Sequence, residues 1–177
     1  MIGVSMPTLL ISYIPWLVWI LPILASLLIP IIDRVSSRGR DAFTILTGFI
    51  TLLLASIMVS PYVDSSLFLR RVRWIPVVNV DLGINVDPLS GLFTILIALI
   101  GFVVLLYSIG YMEGEEGLAR YYFFMLLFIG SMIGLVMADN FLQLFIFWEL
   151  VGLCSYELVS FWYRKREAVK AGVKVFI

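Results

Sequence analysis

The chain has 177 residues, 62% of them hydrophobic and only 14% charged, against roughly 45–50% and about 25% in an ordinary soluble domain. Basic and acidic residues balance at 12 each, so no bulk basic field is present to attract nucleic acid. One cysteine and no histidine exclude an intrachain disulfide and remove the usual ligands of iron–sulfur clusters, haem and zinc.

A mean hydropathy of +1.09 points to lipid as the solvent, and 13 Phe, 8 Tyr and 5 Trp suit membrane-interface belts. Neither a glycine-rich dinucleotide fingerprint nor a phosphate-binding loop is present. The chain is therefore expected to hold no cofactor of its own, and any electron chemistry belongs to a partner. No Lys or Arg precedes Arg34, so the start lacks the positive region of a cleavable signal peptide.

A spanning helix needs about 20 mostly apolar residues. The first predicted helix covers about 8–32 and contains no charge, with Pro15 and Pro22 inside it. A polar turn is expected over 33–40. The second helix covers about 43–61, with Pro61 as its stop signal. Residues 64–87 read differently. Arg70, Arg71 and Arg73 surround Val72 and Trp74, and partial alternation over 77–86 with Gly83 predicts a short β-hairpin outside the hydrocarbon.

Asp87-Pro88 starts the third helix, an N-cap acid before a proline at the first helical position, and it runs to about 111. After the charged loop 113–117 come helices over about 121–138 and 140–163, joined by Asp139-Asn140, which is expected to turn tightly and cap the second of them. The basic cluster Arg164-Lys165-Arg166 ends that span, and 168–177 reads as the opening of a sixth helix. The fold class is an all-α polytopic helix bundle forming a single membrane domain over 1–177. Because the last residues are apolar and helical, the chain reads as the N-terminal part of a longer protein. Basic residues in short loops set orientation. Arg34, Arg38, Arg40, Arg120, Arg164, Lys165 and Arg166, with Lys170 as a further candidate, fall on one side, against Arg70, Arg71 and Arg73 on the other. The richer side is expected in the cytoplasm of a cell-membrane protein, with the N-terminus outside.

In such a protein the chemistry lies where a charge violates the solvent rule. Glu149 is that residue, near the middle of the fifth span in Phe147-Trp148-Glu149-Leu150. Insertion of such a charge costs roughly 2.5–3.5 kcal/mol. Desolvation favours the neutral carboxyl and a nearby lysine favours the charged one, and a group balanced between them can pass protons. The plain alternative is a structural carboxyl tied to a neighbouring helix. Glu157, about 12 Å further along the axis, reads as an end-of-helix acid facing Arg164 or Lys165. Lys174 is a candidate partner or relay for Glu149. Lys170 can equally snorkel to the interface. Asp139 reads as a helix cap, with an ion-entry role as the lesser reading. Cys154 reads as a packing residue, and Gly152 and Ser155 as sites of close helix approach.

Several motifs coincide with one family. Trp148-Glu149-Leu150-Val151-Gly152-Leu153-Cys154-Ser155-Tyr156 resembles the W-E-x-V-G-L-C-S-Y signature of subunit L, or chain 5, of NADH-quinone oxidoreductase (complex I). Tyr111-Met112-Glu113-Gly114-Glu115-Glu116-Gly117 with Arg120-Tyr121-Tyr122 is similar to its loop after the third helix. Ala138-Asp139-Asn140 resembles its A-D-N turn, and Asp87-Pro88-Leu89-Ser90 its third-helix start. The likeness covers about 81–177. It implies a long bundle of two inverted repeats with broken helices. It also implies that Glu149 is a proton-channel residue paired with a lysine on a later helix. Lys174 matches the lysine of the family's K-A-F stretch, with Val175 in place of alanine. Glu157 departs from the family pattern.

The resemblance implies a proton-translocating subunit of an enzyme in which NADH, quinone and iron–sulfur clusters sit in partner subunits, so that this chain carries no redox chemistry. The bilayer and other membrane subunits are the expected partners, and no nucleic acid is. A subunit of a multisubunit sodium/proton antiporter or of a membrane-bound hydrogenase shares the same helices. From another class, a structural membrane anchor remains open. A free transporter of organic substrates is disfavoured, since no further buried polar cluster is evident.

Overall fold

The computed structural model describes residues 6–59, 68–75 and 80–176. Its elements are α1 (Met6–Val35), α2 (Ser37–Val59), β1 (Phe68–Ile75), β2 (Val80–Val86), α3 (Pro88–Tyr111), α4 (Leu118–Val136), α5 (Phe141–Val159) and α6 (Arg166–Phe176). Five of the helices are long and apolar enough to cross a membrane, and the small sheet stands between the second and third. Pro61, the expected stop, and 77–79 of the alternating stretch lie outside the described residues.

The joint between α1 and α2 differs from the expected turn. Only Ser36 separates the helices. Its hydroxyl accepts from the Gly39 N–H at 3.1 Å, as an N-cap does. Charge in this stretch marks helix ends that meet, not a loop. Arg40 is buried, and its guanidinium donates to Asp33 at 2.6 Å across the joint and to Asp41 at 2.9 and 2.7 Å. It also lies 5.4 Å from the Tyr122 ring centre. The N-terminal end of α2 is thereby tied to the C-terminal end of α1 and to α4.

Asp87 caps α3 as expected. Its carboxylate accepts from the Ser90 N–H at 2.6 Å, and the Ser90 hydroxyl accepts from the Asp87 N–H at 2.8 Å. The Ser90 backbone donor, ahead of the hydroxyl, holds this carboxyl below the usual carboxylate range. Between α3 and α4, Gly114 and Gly117 adopt φ of 86° and 84°, a left-handed conformation that side chains disfavour. That turn lets α4 begin at Leu118, slightly before the expected boundary. Helix α5 stops at Val159 instead of about 163, and Ser160 caps it by directing its hydroxyl to the Tyr156 carbonyl.

Helix α1 packs against α2 and α4, α3 lies beside α2, and α5 lies beyond α4 with α6 against it. Ile29, Met58, Leu105, Leu126 and Ile133 are fully buried where these helices meet. Small residues set the closest approaches, as expected in membranes. A Cβ on Gly130 would stand 2.6 Å from Ile23 and 2.9 Å from the Trp19 carbonyl of α1. One on Gly134 would meet the Phe147 ring of α5 at 2.5 Å. Thr44, Thr47, Thr51 and Thr94 turn inward and return their hydroxyls to the carbonyl four residues back, so each buried hydroxyl is satisfied within its own helix.

The strands β1 and β2 pair antiparallel, with Arg71 opposite Gly83 and a bulge between Arg73 and Ile75. The outer edge of β2 is also used. The Asn85 N–H donates to the Met137 carbonyl at 3.0 Å, and Ile84 bridges Ala138. The turn joining α4 to α5 is thus tied to the open edge of the two-stranded sheet by a single bridge, and Ile84 and Val86 are buried there.

Candidate functional site

The site is built on α5, the least covered of the candidate spans. Its start is held firmly. Asn140 is the N-cap; its side chain accepts from the Gln143 N–H at 2.9 Å and donates to the Asp81 carbonyl at 2.7 Å. Gln143 is buried, and its carbonyl oxygen accepts from the Gly83 N–H at 3.0 Å. Both contacts tie α5 to the hairpin.

Asp139 therefore does not cap α5, contrary to the sequence-based expectation. Its carboxylate pairs with Arg71 of β1 at 2.5 Å, the acid largely buried and the guanidinium half exposed. The hydrogen bond to Asp139, before any other effect, holds Arg71 above its ordinary value. A Cβ on Gly83 would lie 2.6 Å from the Asp139 carboxylate, so glycine is what permits this approach. Gln143→Leu is expected to leave the Gly83 N–H buried and unpaired, costing about 1–3 kcal/mol. Faster amide exchange over β2 in the purified protein checks this; unchanged exchange would count against it.

Glu149 lies two turns further on, about 9 Å beyond Gln143 along the axis. It faces outward from the five-helix bundle, in an apolar concavity of about 380 Å³ walled by Phe145, Ile146, Leu150 and Leu153. Among the described residues no hydrogen bond or ion pair engages its carboxylate. Within this chain it is an acid at mid-span on an otherwise apolar face.

Lys170 and Lys174 are both exposed on α6. The helix meets α5 at Gly172, where a Cβ would lie 3.0 Å from Ser160 and 3.1 Å from the Tyr156 carbonyl. At 100° per residue, Gly172 stands opposite the face shared by the two lysines. Tyr156 and Ser160 lie roughly 10 and 16 Å past Glu149 along α5. Glu149 and Lys174 are thus not brought together within the described residues. Glu157 is half-buried, and it does not face Arg164 or Lys165 as expected. Arg164 pairs with Glu116 at 3.4 Å, and Lys165 lies over the Trp162 ring at 5.4 Å. Cys154 is buried and free.

Sequence reasoning missed Arg40 with Asp33 and Asp41, and missed Gln143. An arginine between two acids at a helix joint was the available signal for the first. Gln143 offered only its place three residues after Asn140.

Five membrane-length helices, the fifth with a carboxyl at mid-span, define a polytopic membrane protein. Residues 74–122 match the family described as NADH-ubiquinone oxidoreductase (complex I), chain 5 N-terminus. Residues 138–177 match that of the NADH:quinone oxidoreductase/Mrp antiporter transmembrane region. The chain belongs to this family of antiporter-like membrane subunits. It is 36% identical over 173 residues to NAD(P)H-quinone oxidoreductase subunit 5, chloroplastic, of Zygnema circumcarinatum, covering 90% of this chain and 25% of that protein. It is 34% identical over 159 residues to Na(+)/H(+) antiporter subunit A1 of Staphylococcus haemolyticus, covering 89% of this chain and 20% of that one. The chain thus spans about a quarter of the length of the curated relatives it matches. Its fold matches a chain of the Mrp complex from Dietzia sp. DQ12-45-1b with a TM-score of 0.74 and 28% identity, covering 90% of this chain and 17% of that one. It also matches a chain of an archaeal respiratory complex, the membrane-bound sulfane sulfur reductase, with a TM-score of 0.79 over 91% of this chain and 33% of that chain, at 21% identity.

Proposed function

We propose that this chain is part of a proton-translocating subunit of a complex I type NADH-quinone oxidoreductase. The observation that carries the reading is Glu149, an acid at mid-span surrounded by apolar side chains. Lipid does not tolerate such a group on its own face. It belongs against a bundle interior or a water-filled path, where it can exchange protons. In the longer protein, a later helix then supplies the basic partner, with Lys174 continuing the path and Asp139 standing near its outer end. Electron transfer through NADH, quinone and iron–sulfur clusters takes place in partner subunits. The basic loops lie in the cytoplasm and the N-terminus outside the cell membrane.

A second reading, a subunit of a multisubunit sodium/proton antiporter, is favoured by the near-equal identity to the staphylococcal relative. The two separate in proteoliposomes of the complex purified through a tag on the full-length protein. Proton uptake driven by NADH and quinone is the expected result. Sodium-driven proton exchange without an electron donor would replace the first reading with the second.

A further inference from the structure

Helices α3 and α4 part on one side of the bundle, leaving an apolar groove of about 340 Å³. Its walls include Phe93, Ile97, Ile100 and Val104 of α3 and Phe128 and Met132 of α4. Their spacing carries it roughly 16 Å along the α3 axis, at membrane depth. Leu158 of α5 also lines it.

Three residues beyond Leu158, Phe161 lines a second crevice of about 610 Å³ that mixes aromatic and charged side chains. This crevice opens between the loop after α3 and the loop after α5. The two cavities are neighbours without sharing a lining residue: Phe161 of the crevice stacks edge-on against Tyr121 at 5.6 Å, and Tyr121 lies one turn from Met125 of the groove.

The crevice contains three cations. Arg120 is fixed, donating to the Phe161 carbonyl at 2.7 Å and lying over the Phe161 and Tyr163 rings at 5.4 and 4.9 Å. Arg164 and Lys165 are exposed and only weakly engaged. Arg164 meets Glu116 at 3.4 Å with both side chains exposed, 77% and 86%, a weak pair. Lys165 rests on the Trp162 ring. The two carboxylates of the crevice are Glu116 and Glu115, and Glu115 accepts the Trp162 indole N–H at 3.0 Å. Tryptophan and tyrosine beside basic side chains are what a membrane interface selects.

An apolar groove at membrane depth beside a crevice with exposed, weakly paired cations matches one kind of molecule. We propose that this face binds an anionic phospholipid, with an acyl chain between α3 and α4 and the phosphate on Arg164 and Lys165, displacing Glu116. The site is independent of Glu149 and stands whether or not that residue carries protons.

The test uses the full-length protein in its complex, reconstituted in nanodiscs of phosphatidylcholine containing a minority of phosphatidylglycerol, with retained lipid counted by native mass spectrometry. Wild type is expected to retain phosphatidylglycerol selectively. The double variant Arg164→Gln/Lys165→Gln should lower that retention about tenfold or more, at roughly 1 kcal/mol per basic residue. Ile100→Trp, which fills the groove from an exposed position, should lower it too. Equal retention of both lipids, or phosphatidylglycerol retention indifferent to both variants, would overturn the proposal. So would a structure of the complex with a later helix of the same protein lying in the groove.

Discussion

Glu149→Gln in the assembled full-length protein is expected to lower proton translocation by about a hundredfold or more, the lower end of the range for loss of a proton-transferring group, with assembly intact. Glutamine keeps the shape and removes the exchangeable charge. The carboxylate makes no hydrogen bond or ion pair among the described residues, and its surroundings are the apolar side chains of its own helix. The substitution therefore breaks nothing in this part of the fold. Glutamine stays polar, so the change removes only the cost of carrying a charge at mid-span and adds no new burial penalty. Pumping is measured as quenching of a pH-sensitive dye in vesicles, with complex content quantified in parallel. Wild-type pumping in the variant would make Glu149 a packing carboxyl and would favour the structural-anchor reading.

The second large effect is expected at Arg40. Its side chain is 7% exposed, while those of Asp33 and Asp41 are 32% and 29% exposed. Arg40→Met leaves two carboxylates facing each other at the joint of α1 and α2, without their shared cation. Breaking a buried pair from one side costs about 3–5 kcal/mol, and the part-exposed acids lower this to about 2–4 kcal/mol. The expected result is loss of assembled protein, or a clearly lower midpoint in thermal size-exclusion assays. Replacing all three residues together, Arg40→Met with Asp33→Asn and Asp41→Asn, should recover most of the loss, because no charge is then left unpaired. If the single variant is as stable as wild type, the cluster does not hold the joint together.

Much of the architecture follows from local pattern. Spanning helices are legible because hydropathy over about 20 residues is set by the solvent they must enter. Asp87-Pro88 is legible because a cap acts on donors within three residues, and the observed Asp87–Ser90 box is that interaction. The hairpin could be read from alternation and Gly83. Glu149 stands out for the same reason as the helices, since a charge in a hydrophobic run is visible without knowing what it faces. The polar stretch at 33–40 misled because charge was equated with loop, whereas two helices end there around one buried guanidinium.

What the sequence by itself determined, then, is the number and kind of elements and the residue on which function is proposed. Tertiary structure alone decided the partners. Arg71 finds Asp139 across 68 positions and Gly83 finds Gln143 across 60, so Asn140, not Asp139, caps α5. The approach of α6 through Gly172 leaves Lys174 on the far face from α5. The reason is physical: burial and capping act over one or two turns of chain and can be read in order. Ion pairs and docking between distant segments depend on which helix faces meet, and that is settled by packing at positions such as Gly130 and Gly134, where the absence of a side chain sets how closely the helices approach.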